Sequence, residues 1–165
     1  VFSIPDNTGA NGWNGHRIYA HYAQLLDTDY LCLLDEDNTY EPNHIASLLP
    51  IAEKHGFAWS LRTVYAKGGE RLGVDRAESV GKWVRHPDHN PYILVDTSCW
   101  MLRRDMVREL EHFLEPWCGD RRFTRHMATL AGDLATMCSG LATMNYTAPD
   151  HLRGFFKHIC TEELP

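Results

Sequence analysis

The sequence predicts a single α/β domain over residues 1–165, with a mostly parallel sheet flanked by helices in a three-layer arrangement. Segments with strand character alternate with segments of helical spacing, which is typical of parallel strands joined by crossover helices. The predicted strand at 30–34 is apolar throughout, as expected of a strand buried on both faces. With 44% apolar and 23% charged residues, the chain is able to bury a core.

The first half of the chain is predicted to contain two helices around the strand at 30–34. A loop rich in glycine, asparagine and aspartate occupies residues 6–15, because these residue types tolerate positive φ angles. Apolar residues then recur at helical spacing over 16–26. A second helix begins at Glu41-Pro42, where proline suits the first turn, and ends at Gly56. A second strand follows at 57–65.

The second half begins with an irregular segment. Residues 70–91 show little periodicity and contain two glycines and two prolines, so we expect a long surface excursion. The elements predicted after it are strand pieces at 92–95 and 98–102, a helix at 104–114, a helix at 119–138 with a break at Gly132, an extended piece at 140–146 and a short helix at 150–160.

Charge and composition exclude several classes of protein. The 16 Lys and Arg against 22 Asp and Glu give a net charge of −6, and no basic run exceeds two residues, so we expect no nucleic-acid partner. No stretch approaches the roughly 18 apolar residues of a membrane span, so we expect no transmembrane segment. Five cysteines without a C-x-x-C pair favour free thiols in a reducing compartment. We therefore expect a cytoplasmic location, with peripheral association with a membrane left open.

The strongest chemical signal is the acidic triplet Asp35-Glu36-Asp37, which follows the apolar strand directly. Ligands of open α/β sheets bind beyond the carboxyl ends of the strands. Three crowded carboxylates repel one another unless a cation lies between them, and Mg²⁺ or Mn²⁺ favours such oxygen ligands. A calcium-binding EF-hand is excluded, because Tyr40 stands where glycine is needed and Ala46 where the last glutamate is needed.

Residues 33–39 match the apolar strand and D-x-D-x-T pattern of haloacid-dehalogenase-type phosphatases. That resemblance implies Asp35 as a phosphoryl nucleophile and Asp37 as a general acid. It covers seven residues, and the Gly132-Asp133 pair is a poor match for the further acidic motif of that family.

A longer ordered series of segments resembles family-2-like glycosyltransferases of the GT-A fold. The resemblance implies a GT-A-like, Rossmann-related form of the predicted fold. The first nucleotide-binding βαβ unit of that family has no counterpart here, so we expect an N-terminally truncated domain. The matching segments are residues 7–17, the strand with the acidic triplet, residues 40–45, residues 95–98 with 102–104, residues 117–123 and residues 141–146.

The glycosyltransferase resemblance also implies a donor site for a nucleotide-diphosphate sugar. Asp37 would bind Mn²⁺ or Mg²⁺, with Asp35 binding the ribose or the metal and His151 as a third metal ligand. Arg17 would contact the diphosphate.

On the acceptor side, the resemblance implies transfer to a carbohydrate or other hydroxyl acceptor with inversion at the anomeric carbon. Asp120 would be the general base, since the free N–H groups of a helix start favour a carboxylate. Asp96 and Trp117 would bind the acceptor. A third hypothesis is a non-catalytic carbohydrate-binding fragment that uses Trp83, Trp100 or Trp117.

Overall fold

The computed structural model describes residues 15–79, 83–84, 92–114, 119–131 and 134–161. The α-helices in these ranges are α1 (His16–Tyr22), α2 (His44–His55), α3 (Gly119–Ala131) and α4 (Arg153–Ile159). The 3₁₀ helices span Ala23–Leu25, Thr97–Cys99, Arg104–Phe113, Leu134–Met137 and Asp150–Leu152. The strands are β1 (Tyr30–Cys32), β2 (Thr39–Tyr40), β3 (Phe57–Ala66), β4 (Arg71–Asp75), β5 (Trp83–Val84), β6 (Tyr92–Ile93), β7 (Trp100–Arg103), β8 (Cys138–Ala148) and β9 (Cys160–Thr161).

Seven of these strands form one curled sheet with β3 at its centre, while β5 and β6 pair as a separate ribbon. β3 pairs antiparallel with β7 near its start and with β4 near its end. It pairs in parallel with β8, from Trp59 opposite Cys138 to Ala66 opposite Ala148. The pairings of β1 with β7, β2 with β8 and β4 with β9 are antiparallel.

The prediction of a mostly parallel, three-layer sheet is therefore wrong, and so is the GT-A-like, Rossmann-related form of it. An apolar run such as 30–34 is compatible with a parallel and with an antiparallel strand. The relative direction of two strands depends on which segments pair, and β1 pairs antiparallel with the distant β7, with Cys32 opposite Met101. The residues of β1 are also only half-buried, whereas burial on both faces was expected.

Helices cover both faces of the centre of the sheet. On one face, α3 and the 3₁₀ helix Arg104–Phe113 pack against β3 and β7 through an aromatic core. On the other face, Leu48 of α2 packs against Ala58 and Met101. Neighbouring residues of a strand point to opposite faces, which explains why β3 and β7 contribute to both cores. The aromatic core contains Phe57, Trp100, Phe113 and Phe123, all fully buried.

Several predicted elements are confirmed. The helix predicted at 16–26 is α1 followed by the 3₁₀ turn Ala23–Leu25. α2 ends at Gly56, which has a φ of 80°, and β3 follows directly. The extended piece at 140–146 lies within β8, and the last predicted helix contains α4. The break predicted at Gly132 lies outside the described residues.

The helix predicted at 104–114 is confirmed as the 3₁₀ helix Arg104–Phe113. One other element differs from the prediction. β4 lies inside the segment predicted to be an irregular surface excursion, and four of its five residues are buried. The sequence pattern of this strand is interrupted at Gly73, which has no side chain where an apolar one would be expected, so the strand was not predicted. A Cβ at Gly73 would lie 2.7 Å from the carbonyl oxygen of Thr161, so the close approach of β9 requires glycine there.

Candidate functional site

The acidic triplet forms the turn between β1 and β2. The main-chain N–H of Asn38 donates to the carbonyl of Asp35 at 3.1 Å, which closes the turn. The buried side chain of Asn38 holds the turn from two sides. Its Nδ2 donates to Oγ of Ser98 at 3.3 Å, and its Oδ1 accepts from the main-chain N–H of Thr147 at 3.1 Å. The triplet is therefore fixed between the turn that carries Ser98 and the end of β8.

The carboxylate of Asp35 is half-buried and accepts hydrogen bonds at both oxygens. The hydroxyl of Tyr19 on α1 donates to Oδ1, and the hydroxyl of Ser98 lies 3.4 Å from Oδ2. Burial raises the pKa of Asp35, and the nearby charges of Asp96 and Asp37 raise it further, against the opposing hydrogen bonds. A cation beside Asp35 would relieve this repulsion, since an opposite charge favours the ionised form.

Asp37 presents an exposed carboxylate on a fixed backbone. Its main-chain carbonyl accepts a hydrogen bond from the hydroxyl of Thr147 at 2.6 Å, while its side chain lies in solvent. His151 is exposed in a 3₁₀ turn that begins two residues after the end of β8. Among the described residues, Asp35, Asp37 and His151 do not form a group whose ligand atoms all lie within 4.8 Å of one another. The predicted third ligand therefore stays a prediction.

Asp96 belongs to a buried ion cluster centred on Arg62 of β3. Nη1 of Arg62 lies 2.6 Å from Oδ2 of Asp96, while Nη2 lies 2.8 Å from Asp75 and 2.7 Å from Glu78. Burial alone would lower the pKa of Arg62, but the three carboxylates outweigh it and raise the pKa. Oδ1 of Asp96 accepts from the main-chain N–H of Ser98 at 2.9 Å. Both oxygens of Asp96 are thus engaged, which holds the loop before β7.

Asp120 lies in the first turn of α3, as predicted, and is half-buried. Its Oδ1 accepts from the main-chain N–H of Arg121 at 2.7 Å. Burial raises the pKa of Asp120, and the charge of Asp96 raises it further, against the effect of Arg121. Asp96 also acts on Asp35, which in turn is affected by Asp37. These four aspartates form a linked group, which we call the aspartate cluster.

The remaining predicted residues have different placements. Arg17 is exposed on α1, two positions before Tyr19, and residues two apart do not share a helix face. α1 therefore directs Tyr19 to Asp35, and Arg17 lies on another face. Trp117 and the side chain of Trp83 lie outside the described residues. Trp100 has no exposed surface, so it is a core residue and is unable to stack on a sugar.

Two features of possible ligand sites were missed by sequence reasoning. Tyr19 and Ser98 contact Asp35 from distant segments, and no local pattern marks such contacts. A separate group of ligand-type side chains consists of Glu109, His112 and His126, and their ligand atoms lie within 4.8 Å of one another. The spacing of Glu109 and His112, three residues apart, was a usable signal, because residues i and i+3 are neighbours on a helix.

Comparison of the chain with models of known protein families, with curated proteins and with solved structures found no match. In the described part of the chain, no helix combines the length and the apolar character that crossing a membrane requires.

Proposed function

We propose that this chain is a metal-dependent glycosyltransferase that moves a sugar from a nucleotide-diphosphate donor to an acceptor hydroxyl with inversion. The observation that carries the proposal is the aspartate cluster, in which four carboxylates from three separate segments act on one another and Ser98 is hydrogen-bonded to both Asp35 and Asp96. The ordered sequence resemblance to family-2-like glycosyltransferases supports it. The proposal rests on the site and not on the fold, because the parallel sheet expected with that family is contradicted.

The residues that would hold the divalent ion are Asp37 and Asp35. Their donor set fits Mn²⁺ or Mg²⁺, since both ions prefer carboxylate oxygens and share their coordination with substrate phosphates. The exposed Asp37 is open to such an ion, and Asp35 lies near the negative charges of Asp96 and Asp37, which a cation would offset. A bound ion would supply neutralisation of the charge on the leaving nucleoside diphosphate.

Asp120 is the proposed general base. A carboxylate with a raised pKa is a stronger base than one in water, which suits removal of a proton from an acceptor hydroxyl. In the proposed step the acceptor proton passes to Asp120 while the acceptor oxygen forms a bond to the anomeric carbon. The bond from that carbon to the diphosphate oxygen breaks, and its electron pair leaves with the nucleoside diphosphate. Direct displacement of this kind inverts the anomeric carbon.

The two other hypotheses have less support. The phosphatase hypothesis rests on residues 33–39 alone, and the Gly132-Asp133 pair is a poor match for the further acidic motif of that family. The hypothesis of a non-catalytic sugar-binding fragment named three tryptophans. Trp100 is excluded from that role, because it is buried in the core.

The proposal is tested by calorimetric titration with UDP, GDP and dTDP, each with and without Mn²⁺. We expect one of these nucleotides to bind only with Mn²⁺, and we expect Asp37→Ala to abolish that binding. Asp27→Ala is the matched control, because Asp27 is an exposed aspartate ahead of β1. Nucleotide binding that is unchanged in Asp37→Ala would contradict the assignment of the metal ligands.

The base is tested separately with Asp120→Asn, which keeps the size of the side chain. We expect this variant to retain nucleotide binding and to lose transfer by about 100-fold or more, the usual contribution of a general base. Turnover is measured as release of nucleoside diphosphate from UDP-, GDP- and dTDP-linked hexoses. Full turnover in Asp120→Asn would show that another group removes the proton.

A further inference from the structure

We propose that Glu109, His112 and His126 form a binding site for a divalent transition metal of the zinc class. The site uses different residues and different elements from the aspartate cluster and does not rest on the glycosyltransferase proposal. Its three side chains come from the 3₁₀ helix Arg104–Phe113 and from α3.

The local geometry of the 3₁₀ helix brings two of the ligands onto one line. A 3₁₀ helix has three residues per turn, so positions i and i+3 eclipse each other, which places Glu109 directly beside His112. His126 reaches the same point from α3. Its Nε2 lies 2.6 Å from Oε2 of Glu109, and its ring centroid lies 4.3 Å from that of His112. One ligand atom of each residue lies within 4.8 Å of the others.

The donor set fits zinc better than magnesium. Imidazole nitrogen suits zinc, copper and nickel, whereas magnesium prefers an all-oxygen shell. Two histidines and one glutamate supply three of the four zinc ligands and leave one position for water, the arrangement of an open zinc site. A zinc ion would need Glu109 and His126 to separate slightly, since their hydrogen bond is shorter than the distance between two ligands of one ion.

His112 carries the clearest sign of a missing partner. Its Nε2 is buried and has no hydrogen-bond partner in the described structure, and such atoms are normally satisfied. Burial lowers the pKa of His112, and the nearby His126 lowers it further. A metal bound to Nε2 would satisfy this nitrogen.

Two arginines, Arg108 and Arg122, lie near the proposed ligands and affect their electrostatics. Nε of Arg108 lies 3.0 Å from Oε1 of Glu109, which leaves Oε2 as the ligand atom. Burial alone would raise the pKa of Glu109, but hydrogen bonds from His126 and Arg108 outweigh it and lower the pKa. The positive charge of Arg122 disfavours a positive charge on His112 and would oppose binding of a dication.

A cavity of about 430 Å³ borders His112, one of the three proposed ligands. It is lined by Glu111, His112, Leu114 and Arg122. An ion that binds His126 together with Glu109 and His112 would join α3 to the preceding 3₁₀ helix. Because Asp120 lies in the first turn of α3, the metal would also stiffen the helix that carries the proposed base.

The experiment is a calorimetric titration of the full chain with ZnCl₂. We expect one zinc ion per chain, and we expect Glu109→Gln and His126→Ala to weaken binding by about 100-fold or more, since loss of residues that merely support a ligand already costs about 10- to 100-fold. His158→Ala is the control, because His158 is exposed on α4 and should bind as the wild type does.

Two results would overturn the proposal. One is the absence of zinc binding by the wild-type chain, and the other is equal binding by the wild type, Glu109→Gln and His126→Ala. The second result would mean that zinc binds adventitiously to other members of the ten histidines. Circular dichroism verifies folding of each variant, and Glu109→Gln, which preserves side-chain shape, decides the matter if His126→Ala does not fold.

Discussion

The hydroxyl of Tyr19 donates a hydrogen bond to Oδ1 of Asp35, which joins α1 to the turn after β1. This contact gives the carboxylate a local donor in a region crowded by Asp96 and Asp37. The apolar spacing of α1 predicts only that this helix packs against the core. The hydroxyl of Tyr19 nevertheless contacts the proposed metal site.

Removal of this donor with Tyr19→Phe should raise the pKa of Asp35 further, because burial and the neighbouring carboxylates would then be less opposed. We also expect the variant to lower the free energy of unfolding by about 1.5 to 3 kcal/mol, the usual value of a hydrogen bond to a charged group. Titration by ¹³C NMR of the carboxyl carbon measures the pKa. Tyr65→Phe, which removes a hydroxyl from β3, is the control, and an equal change in both variants would contradict the role of Tyr19.

The ion cluster of Arg62 should be the most sensitive polar site of the fold. Arg62→Met leaves the fully buried Asp75 without its main cation, and breaking a buried ion pair costs about 3 to 5 kcal/mol. Urea unfolding measures this loss. Arg103→Met is a matched control, because Arg103 pairs with Asp105 at the surface and should change stability little. A similar loss of unfolding free energy in both variants would contradict the prediction that the buried ion cluster contributes more to stability than a surface ion pair.

His44 should make stability fall in weakly acidic solution. Burial lowers the pKa of His44 to about 4 from its usual 6.5, against a hydrogen bond with Thr143 that raises it, and Nε2 is buried with no hydrogen-bond partner among the described residues. The unfolded chain then binds the proton more readily, so the free energy of unfolding should decrease as the pH falls from about 6.5 to about 4.

Urea unfolding across this pH range, with wild type and His44→Gln, measures the effect. The variant should show a flatter dependence between these pH values, since glutamine does not titrate. His158→Gln should follow the wild type, because His158 is exposed on α4. A wild-type profile that matches His44→Gln would disprove the assignment.

Gly73 should tolerate no side chain. It has a φ of 120°, and a Cβ would lie 2.7 Å from the carbonyl oxygen of Thr161. We expect Gly73→Ala to lower the free energy of unfolding by about 1 to 3 kcal/mol through backbone strain, and by more if β9 is displaced. Gly68→Ala is the control, since among the described residues, its two chain neighbours aside, no atom lies within 4 Å of its Cβ position. Thermal unfolding compares the two, and equal midpoints would refute the prediction.

Local patterns predicted most helices and strands but not their arrangement. The helical spacing before Asp27 and the start of α2 after Pro42 follow from residues close in sequence, and the structure contains both helices. β4 was missed because Gly73 breaks its apolar pattern. The helix at 104–114 was predicted without its 3₁₀ type, since three- and four-residue spacings of apolar side chains are hard to distinguish over ten residues.

The charged segments, and the position of the acidic triplet directly after a strand, follow from the amino-acid sequence alone, because these properties depend on residue type and near neighbours. Only the tertiary structure decided the strand directions and the contacts of Asp35 with Tyr19 and Ser98, because pairing partners lie far apart in sequence. The same holds for the meeting of His126 with Glu109 and His112. Long-range packing selects one arrangement from several that satisfy the same local pattern.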